Sequence, residues 1–176
     1  MCIRDRFQVD LKTFHELGCY GLGTLTCIVS FDPADGWNHK FVPVESGVIS
    51  DQMRAAMSHA NLDTVKIGML GTVPTIDAVA EGLKSQEWKN IVVDPVLICK
   101  GQEPGMALDT DNALREKILP LATVATPNYF EACTLAGMDK LETLEDLAEA
   151  AMRISELGPK YVVVKGGMDF PGDEAV

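Results

Sequence analysis

No basic run or stripe occurs in this chain: acidic residues outnumber basic ones by 26 to 15, for a formal charge of −11. A nucleic-acid surface needs clustered lysines and arginines to neutralise phosphates, so none is expected. The same balance argues against docking on an anionic membrane surface. It leaves phosphate ligands open, since local lysines and backbone N–H groups can hold them. No apolar run approaches the roughly 20 residues of a membrane span, and the N-terminus lacks the apolar centre of a secretory signal. The five cysteines (Cys2, Cys19, Cys27, Cys99 and Cys133) are odd in number and form no CxxC or Cys/His metal spacing. They read as free thiols in a reducing, cytoplasmic setting. His15, His39 and His59 have no mutual spacing of a triad or metal site. No Gly-x-Gly-x-x-Gly follows a predicted strand, which disfavours a Rossmann-type oxidoreductase.

What the chain does have is 176 residues, 47% of them hydrophobic, enough for one domain with a real core. Periodicity predicts helices over 8–17, 46–60, 73–83 and near 109–119, and from 143 to 157. In the second of these, Val48, Met53, Ala56 and Met57 are expected inward; in the third, Ile76, Val79, Ala80 and Leu83. Strands are expected over 20–31, 64–67, 91–93, 122–125 and 161–164, with a turn-rich connection over 32–39 and a long irregular segment over 97–106. Thr126-Pro127 is expected to open a further helix, with Pro at the first helical position. Strands alternating with helices predict an α/β fold with a mostly parallel sheet covered by helices on both faces.

Polar and glycine-rich stretches recur at the C-terminal ends of these strands. They are Lys66-Ile-Gly-Met-Leu-Gly71, Asp94-Pro-Val-Leu-Ile-Cys-Lys-Gly101, Thr126-Pro-Asn-Tyr-Phe-Glu131 and Lys165-Gly-Gly167. In an open α/β sheet that edge is where ligands bind. Lys165 with Gly166 and Gly167 offers a point charge beside a backbone that a phosphate can approach closely, or forms a simple strand-end turn. Asn128 and Glu131 share a face at a helix start, where they could hold a hydrated Mg²⁺ beside a phosphate or act as ordinary caps. Asp94 before Pro95 is either a turn former or a polar site group. Cys99, Lys100 and Gly101 lie in a loop of the kind that forms lids. A thiol beside a lysine can become a nucleophile, and its S–H can add across an aldehyde C=O to give a reversible hemithioacetal. Met69, after Gly68, could pack on a flat ring or in the core.

Taken in order, Gln8-Val-Asp-Leu-Lys-Thr-Phe14, Val65-Lys-Ile-Gly-Met-Leu-Gly71, Val93-Asp-Pro-Val96, Thr126-Pro-Asn128 with Glu131, and Val164-Lys-Gly-Gly167 resemble the vitamin kinases of the ribokinase-like superfamily. The similarity is to the hydroxymethylpyrimidine/phosphomethylpyrimidine kinase family and its pyridoxal-kinase branch, from about Gln8 onward. It implies a three-layer α/β/α fold and ATP-dependent phosphorylation of a primary alcohol on a flat heteroaromatic ring, usually by a homodimer. By this resemblance Asn128 and Glu131 serve Mg²⁺ and phosphate placement, Asp94 lies near the metal, and Lys165, Gly166 and Gly167 serve the nucleotide. Gly68 and Met69 lie beside the substrate ring, and Cys99 with Lys100 forms the lid that carries catalytic groups. Pyrimidine kinases of this family usually carry a glutamine where Val29-Ser-Phe31-Asp32 places Phe31. Phe cannot make the paired hydrogen bonds of an aminopyrimidine but can stack on a pyridine. Pyridoxal, pyridoxine or pyridoxamine is therefore the expected substrate, with hydroxymethylpyrimidine as the alternative. A sugar kinase of the same superfamily fits these stretches less well. A non-catalytic nucleotide- or pyridoxal-binding fragment is the reading of another class.

Residues 1–6 do not join smoothly to the first helix and read as a non-native scar. The chain stops where another strand would start. A single kinase domain over 7–176, cut at both ends and inactive by itself, is the expectation. The family's glycine-rich anion-hole loop would lie beyond Val176.

Overall fold

The computed structural model describes residues 6–36, 38–59, 61–97, 104–167 and 170–171. Four short parallel strands form the main sheet in sequential order: β3 (Thr64–Ile67), β4 (Asn90–Val93), β5 (Val124–Ala125) and β6 (Tyr161–Val162). Their register pairs Ile67 with Val93 and Val93 with Ala125, then Ala125 with Val162. Side chains alternate between faces along a strand. One face therefore carries Ile67, Ile91, Val93 and Ala125, all buried. The opposite face carries Lys66, Val92 and Val124, half-buried, and the exposed Tyr161 and Val163.

Sequential strand order with right-handed crossovers puts the connecting helices on one side. These are α3 (Val73–Lys84), α4 (Pro104–Lys117), α5 (Tyr129–Ala136) and α6 (Leu144–Ser155), joined by α2 (Ser46–His59), which leads into β3 and packs beside α3. They cover the buried face with Ile49, Ile76, Leu83, Leu114, Leu135 and Ile154. The second face meets a helix at β3, where Lys66 Nζ lies 2.6 Å from Asp10 Oδ2 of α1 (Arg6–Glu16). α1 is thus the described helix on the second face, opposite the five-helix layer.

Several local expectations change. Over 20–31, regular pairing begins only at β1 (Cys27–Asp32), because the stretch before it lies across α1. Cβ atoms at Gly21 and Gly23 would meet Leu11, Phe14 and Phe7. β1 pairs antiparallel with β2 (Asn38–Pro43), a strand that periodicity does not reveal, and the two form a hairpin separate from the main sheet. In α2 Met53 is buried as expected, but its buried companion is Ile49, whereas Val48 is 49% exposed. α4 begins at Pro104, inside the stretch expected to be irregular. Pro127 does not open α5. Its carbonyl accepts the Lys165 N–H at 2.9 Å, so the chain is still extended there and Asn128 becomes the N-cap.

Candidate active site

The ladder of the parallel sheet continues past the strand ends. Asp94 N–H donates to the Ile67 carbonyl (2.8 Å), Thr126 N–H to Val93 (2.9 Å), and Lys165 N–H to Pro127 (2.9 Å). These rungs bring all four sequence-predicted stretches to one edge, the first through the Ile67 carbonyl. Lys165 stands in a parallel bridge opposite Asn128, and its Nζ lies 3.1 Å from Asp94 Oδ1. Asp94 is largely buried, while the Lys165 side chain keeps nearly half its surface in solvent. Gly166 is buried beside it. Gly167 adopts φ +63°, a left-handed backbone that favours glycine, and a Cβ there would meet nothing within 4 Å.

α5 starts at this edge with a reciprocal capping box. Asn128 Oδ1 accepts the Glu131 N–H at 2.9 Å, and Glu131 Oε2 accepts the Asn128 N–H at 2.8 Å. Capping, the plainer reading of this pair, is therefore present in the structure. Glu131 is buried at 4% exposure, and its hydrogen bond to Asn128, the bridge partner of Lys165, ties its carboxylate to this edge. Among the described residues, no three His, Cys, Asp or Glu side chains cluster as a ready-made metal cage.

The loop after β3 carries Gly68 and Met69. Lys66 Nζ reaches within 3.3 Å of where a Gly68 Cβ would stand. The Met69 carbonyl accepts the Thr26 hydroxyl at 2.7 Å, and Gly71, at φ +74°, lies directly under the Phe41 ring. Thr26 and Phe41 thus anchor the hairpin base to this loop, a link the sequence reading missed. Its only trace there is Gly71, a left-handed glycine with no room for a side chain. Phe31 sits on β1, 40% exposed. Phe41 pairs with Val29, and Phe31 is two residues from Val29, so both phenylalanines belong to the same face of the hairpin. Cys99, Lys100 and Gly101 lie outside the described residues, so the lid has no structural account here. Burial pushes the Cys133 and Cys27 thiols up, the opposite of an activated nucleophile. Cys19 is an exposed free thiol.

A family profile described as phosphomethylpyrimidine kinase matches residues 7–176. The chain belongs to the phosphomethylpyrimidine kinase family. Within it, the chain is 44% identical over 169 residues to a pyridoxine kinase of Bacillus subtilis, covering 96% of this chain and 62% of that protein. It superposes on the ADP complex of Bacillus subtilis pyridoxal kinase with a TM-score of 0.89 at 44% identity, over 96% of this chain and 63% of that one. A Staphylococcus aureus pyridoxal kinase in complex with AMP-PCP and pyridoxal gives a TM-score of 0.85 at 39% identity, over 96% and 60%. The chain therefore spans a little over three-fifths of the length of these family members. The ribokinase-like fold and the family inferred from the strand-end motifs are both found.

Proposed function

We propose that the protein carrying this chain transfers the terminal phosphoryl group of ATP to the hydroxymethyl group of pyridoxal, pyridoxine or pyridoxamine. The observation that carries the reading is the convergence of Lys165, Asp94 and the Asn128–Glu131 capping box on one strand-end edge. Phosphoryl transfer demands positioning and charge stabilisation, with little covalent work by the protein. Lys165 supplies a mobile cation that can leave Asp94 for a phosphate. Gly166 and Gly167 let a polyphosphate approach the backbone, and the α5 N-terminus adds a favourable field for anions. ATP supplies the phosphoryl group.

Asp94 and Glu131 fit Mg²⁺, which prefers hard oxygen donors and retains water, so two carboxylates beside phosphates suffice without a protein cage. Gly68 and Met69 would line the vitamin ring, with Phe31 of the hairpin stacking on it. Cys99 and Lys100 would close over the site as the lid. The similarity to proteins named pyridoxine and pyridoxal kinase supports the pyridine substrate. The family profile's own description supports hydroxymethylpyrimidine or its phosphate as the second reading.

We further take residues 7–176 as one kinase domain that needs the remaining length of its relatives for turnover. It would act as a cytoplasmic homodimer, in keeping with the free thiols at Cys19, Cys27 and Cys133. Among the described residues no helix is long and apolar enough to cross a membrane. The test is ADP release with Mg·ATP from a protein of full family length, offered pyridoxal, pyridoxine and hydroxymethylpyrimidine in parallel, with a Cys99→Ala variant alongside. Preference for pyridoxal, weakened in the variant, is expected. Preference for hydroxymethylpyrimidine would move the protein to thiamine synthesis, and turnover by the 176-residue chain alone would refute the need for further length.

A further inference from the structure

α5 has only eight residues, yet its N-terminus carries two of the groups assigned above to metal and phosphate. An isolated helix that short is unstable in water, so something outside it must hold it in place. The last four carbonyls of a helix have no partner within it. In α5 these are Cys133, Thr134, Leu135 and Ala136, and each has an acceptor role in the structure. The Cys133 carbonyl takes the Met138 N–H at 2.9 Å at the left-handed Gly137 turn. Arg115 of α4 donates through Nη1 to Leu135 at 2.9 Å and through Nη2 to Thr134. Arg153 of α6 donates through Nη1 to Ala136 at 3.2 Å.

Two helices therefore send guanidinium groups to one helix end. Both cations have an acid four positions before them. Arg153 Nη2 donates to Glu149, and Arg115 acts electrostatically on the buried Asp111. An acid four residues N-terminal to a cation is the favourable order on a helix. Arginine suits the task because its planar fork can serve two carbonyls at once, which an ammonium on a single stem cannot do with the same geometry. Cations at the C-terminus also offset the negative end of the helix dipole, leaving the positive end at Asn128 less opposed.

We infer that Arg115 and Arg153 are positioning residues that hold α5 at fixed depth and orientation, and so set where Asn128 and Glu131 meet the metal and phosphates. The inference rests on the proposed kinase reading for its functional consequence, but the clamp itself is testable without it.

The experiment compares Arg115→Ala, Arg115→Lys and Arg153→Ala in a protein of full family length. Lys117→Ala serves as a control, because it breaks the Lys117–Asp77 pair on the same α4 without touching α5. Two quantities are read: amide exchange over 128–131 in the unliganded protein, and the Mg²⁺ concentration for half-maximal ADP release. For Arg115→Ala each is expected to rise about tenfold, as befits loss of charge-assisted hydrogen bonds. The KM for the vitamin should stay within about twofold, since its loop follows β3 and not β5. Lysine at 115 should restore only part of the effect, and Lys117→Ala should leave both readings at the parent value. If Arg115→Ala does not fold, Arg153→Ala gives the same pattern with a smaller amplitude.

Unchanged exchange over 128–131 in both alanine variants would overturn the clamp. Faster exchange with an unaltered Mg²⁺ dependence would overturn the positioning role. If the parent phosphorylates no vitamin, the kinase reading fails instead, and the exchange arm together with Mg²⁺·ADP binding still decides the inference.

Discussion

Lys165 and Asp94 are 71 positions apart in sequence and 3.1 Å apart in space, joined across the strand-end edge of the sheet. The pair is partly exposed, with Lys165 at 46% and Asp94 at 12% side-chain exposure. Its contribution to folding is therefore small, about 0–1 kcal/mol. Its position argues for a role in binding. Lys165→Ala is expected to weaken Mg·ATP binding and lower kcat/KM for ATP about a hundredfold, with little change in Tm. Isothermal titration with Mg·ADP, beside a thermal melt, checks both halves. A large fall in Tm with unchanged nucleotide affinity would mean that the pair is structural.

Gly71 combines a left-handed backbone with a ring above its Cα. Gly71→Ala must bear the φ +74° strain and also push against Phe41. The expected cost is about 1–3 kcal/mol by chemical denaturation. Adding Phe41→Ala relieves the collision but not the backbone strain, so the double variant should regain only what the ring conflict cost. Full recovery would show that the backbone conformation is relaxed easily.

Asp111 is buried on α4, and its Oδ1 has no hydrogen-bond partner. Burial pushes its carboxyl up from 3.8 to about 6, with Arg115 pulling the other way. The folded state then keeps a proton that the unfolded chain has already released between those two values. Stability from this group is present at low pH and is lost as pH rises through that window. Asp111→Asn should remove the slope and, above pH 6.5, stabilise the protein by about 1–3 kcal/mol. Urea denaturation of both proteins between pH 4 and 7.5 tests this by difference, which cancels the other carboxylates. Parallel curves would refute it.

Adjacent positions in α2 should behave oppositely. Ile49 is fully buried and Val48 is 49% exposed. Ile49→Ala should cost about 2–4 kcal/mol, and Val48→Ala less than about 0.5 kcal/mol. Equal losses in denaturant melts would contradict the assigned helix face.

That pair of residues also shows where the sequence was ambiguous. Both are β-branched and apolar, and a helical face can be drawn through either. Only α2 packing on the sheet decides that Ile49 faces in. β3 and β4 were legible because their β-branched runs end in turn residues, and α3 because Ile76, Val79, Ala80 and Leu83 recur at helical spacing. The hairpin was not, since β2 reads Asn38-His-Lys-Phe-Val-Pro43, whose only two strongly apolar residues are adjacent and so fall on opposite faces. The strand-end edge was legible residue by residue. The Lys165–Asp94 contact and the arginines behind α5 were not, because side chains meeting across helices leave no periodic mark.

The rungs that extend the sheet beyond its strands carry one more consequence. Asp94, Thr126 and Lys165 each owe their place to a backbone amide already committed to the neighbouring strand. Side chains at this edge therefore inherit their direction from strand register. A one-residue deletion within β4 would turn Asp94 to the opposite face and separate it from Lys165. The same deletion on the exposed side of a connecting helix would leave the pair intact. Evolution and engineering alike can lengthen or shorten the crossovers, but the count of residues inside each strand is fixed by the chemistry at its tip.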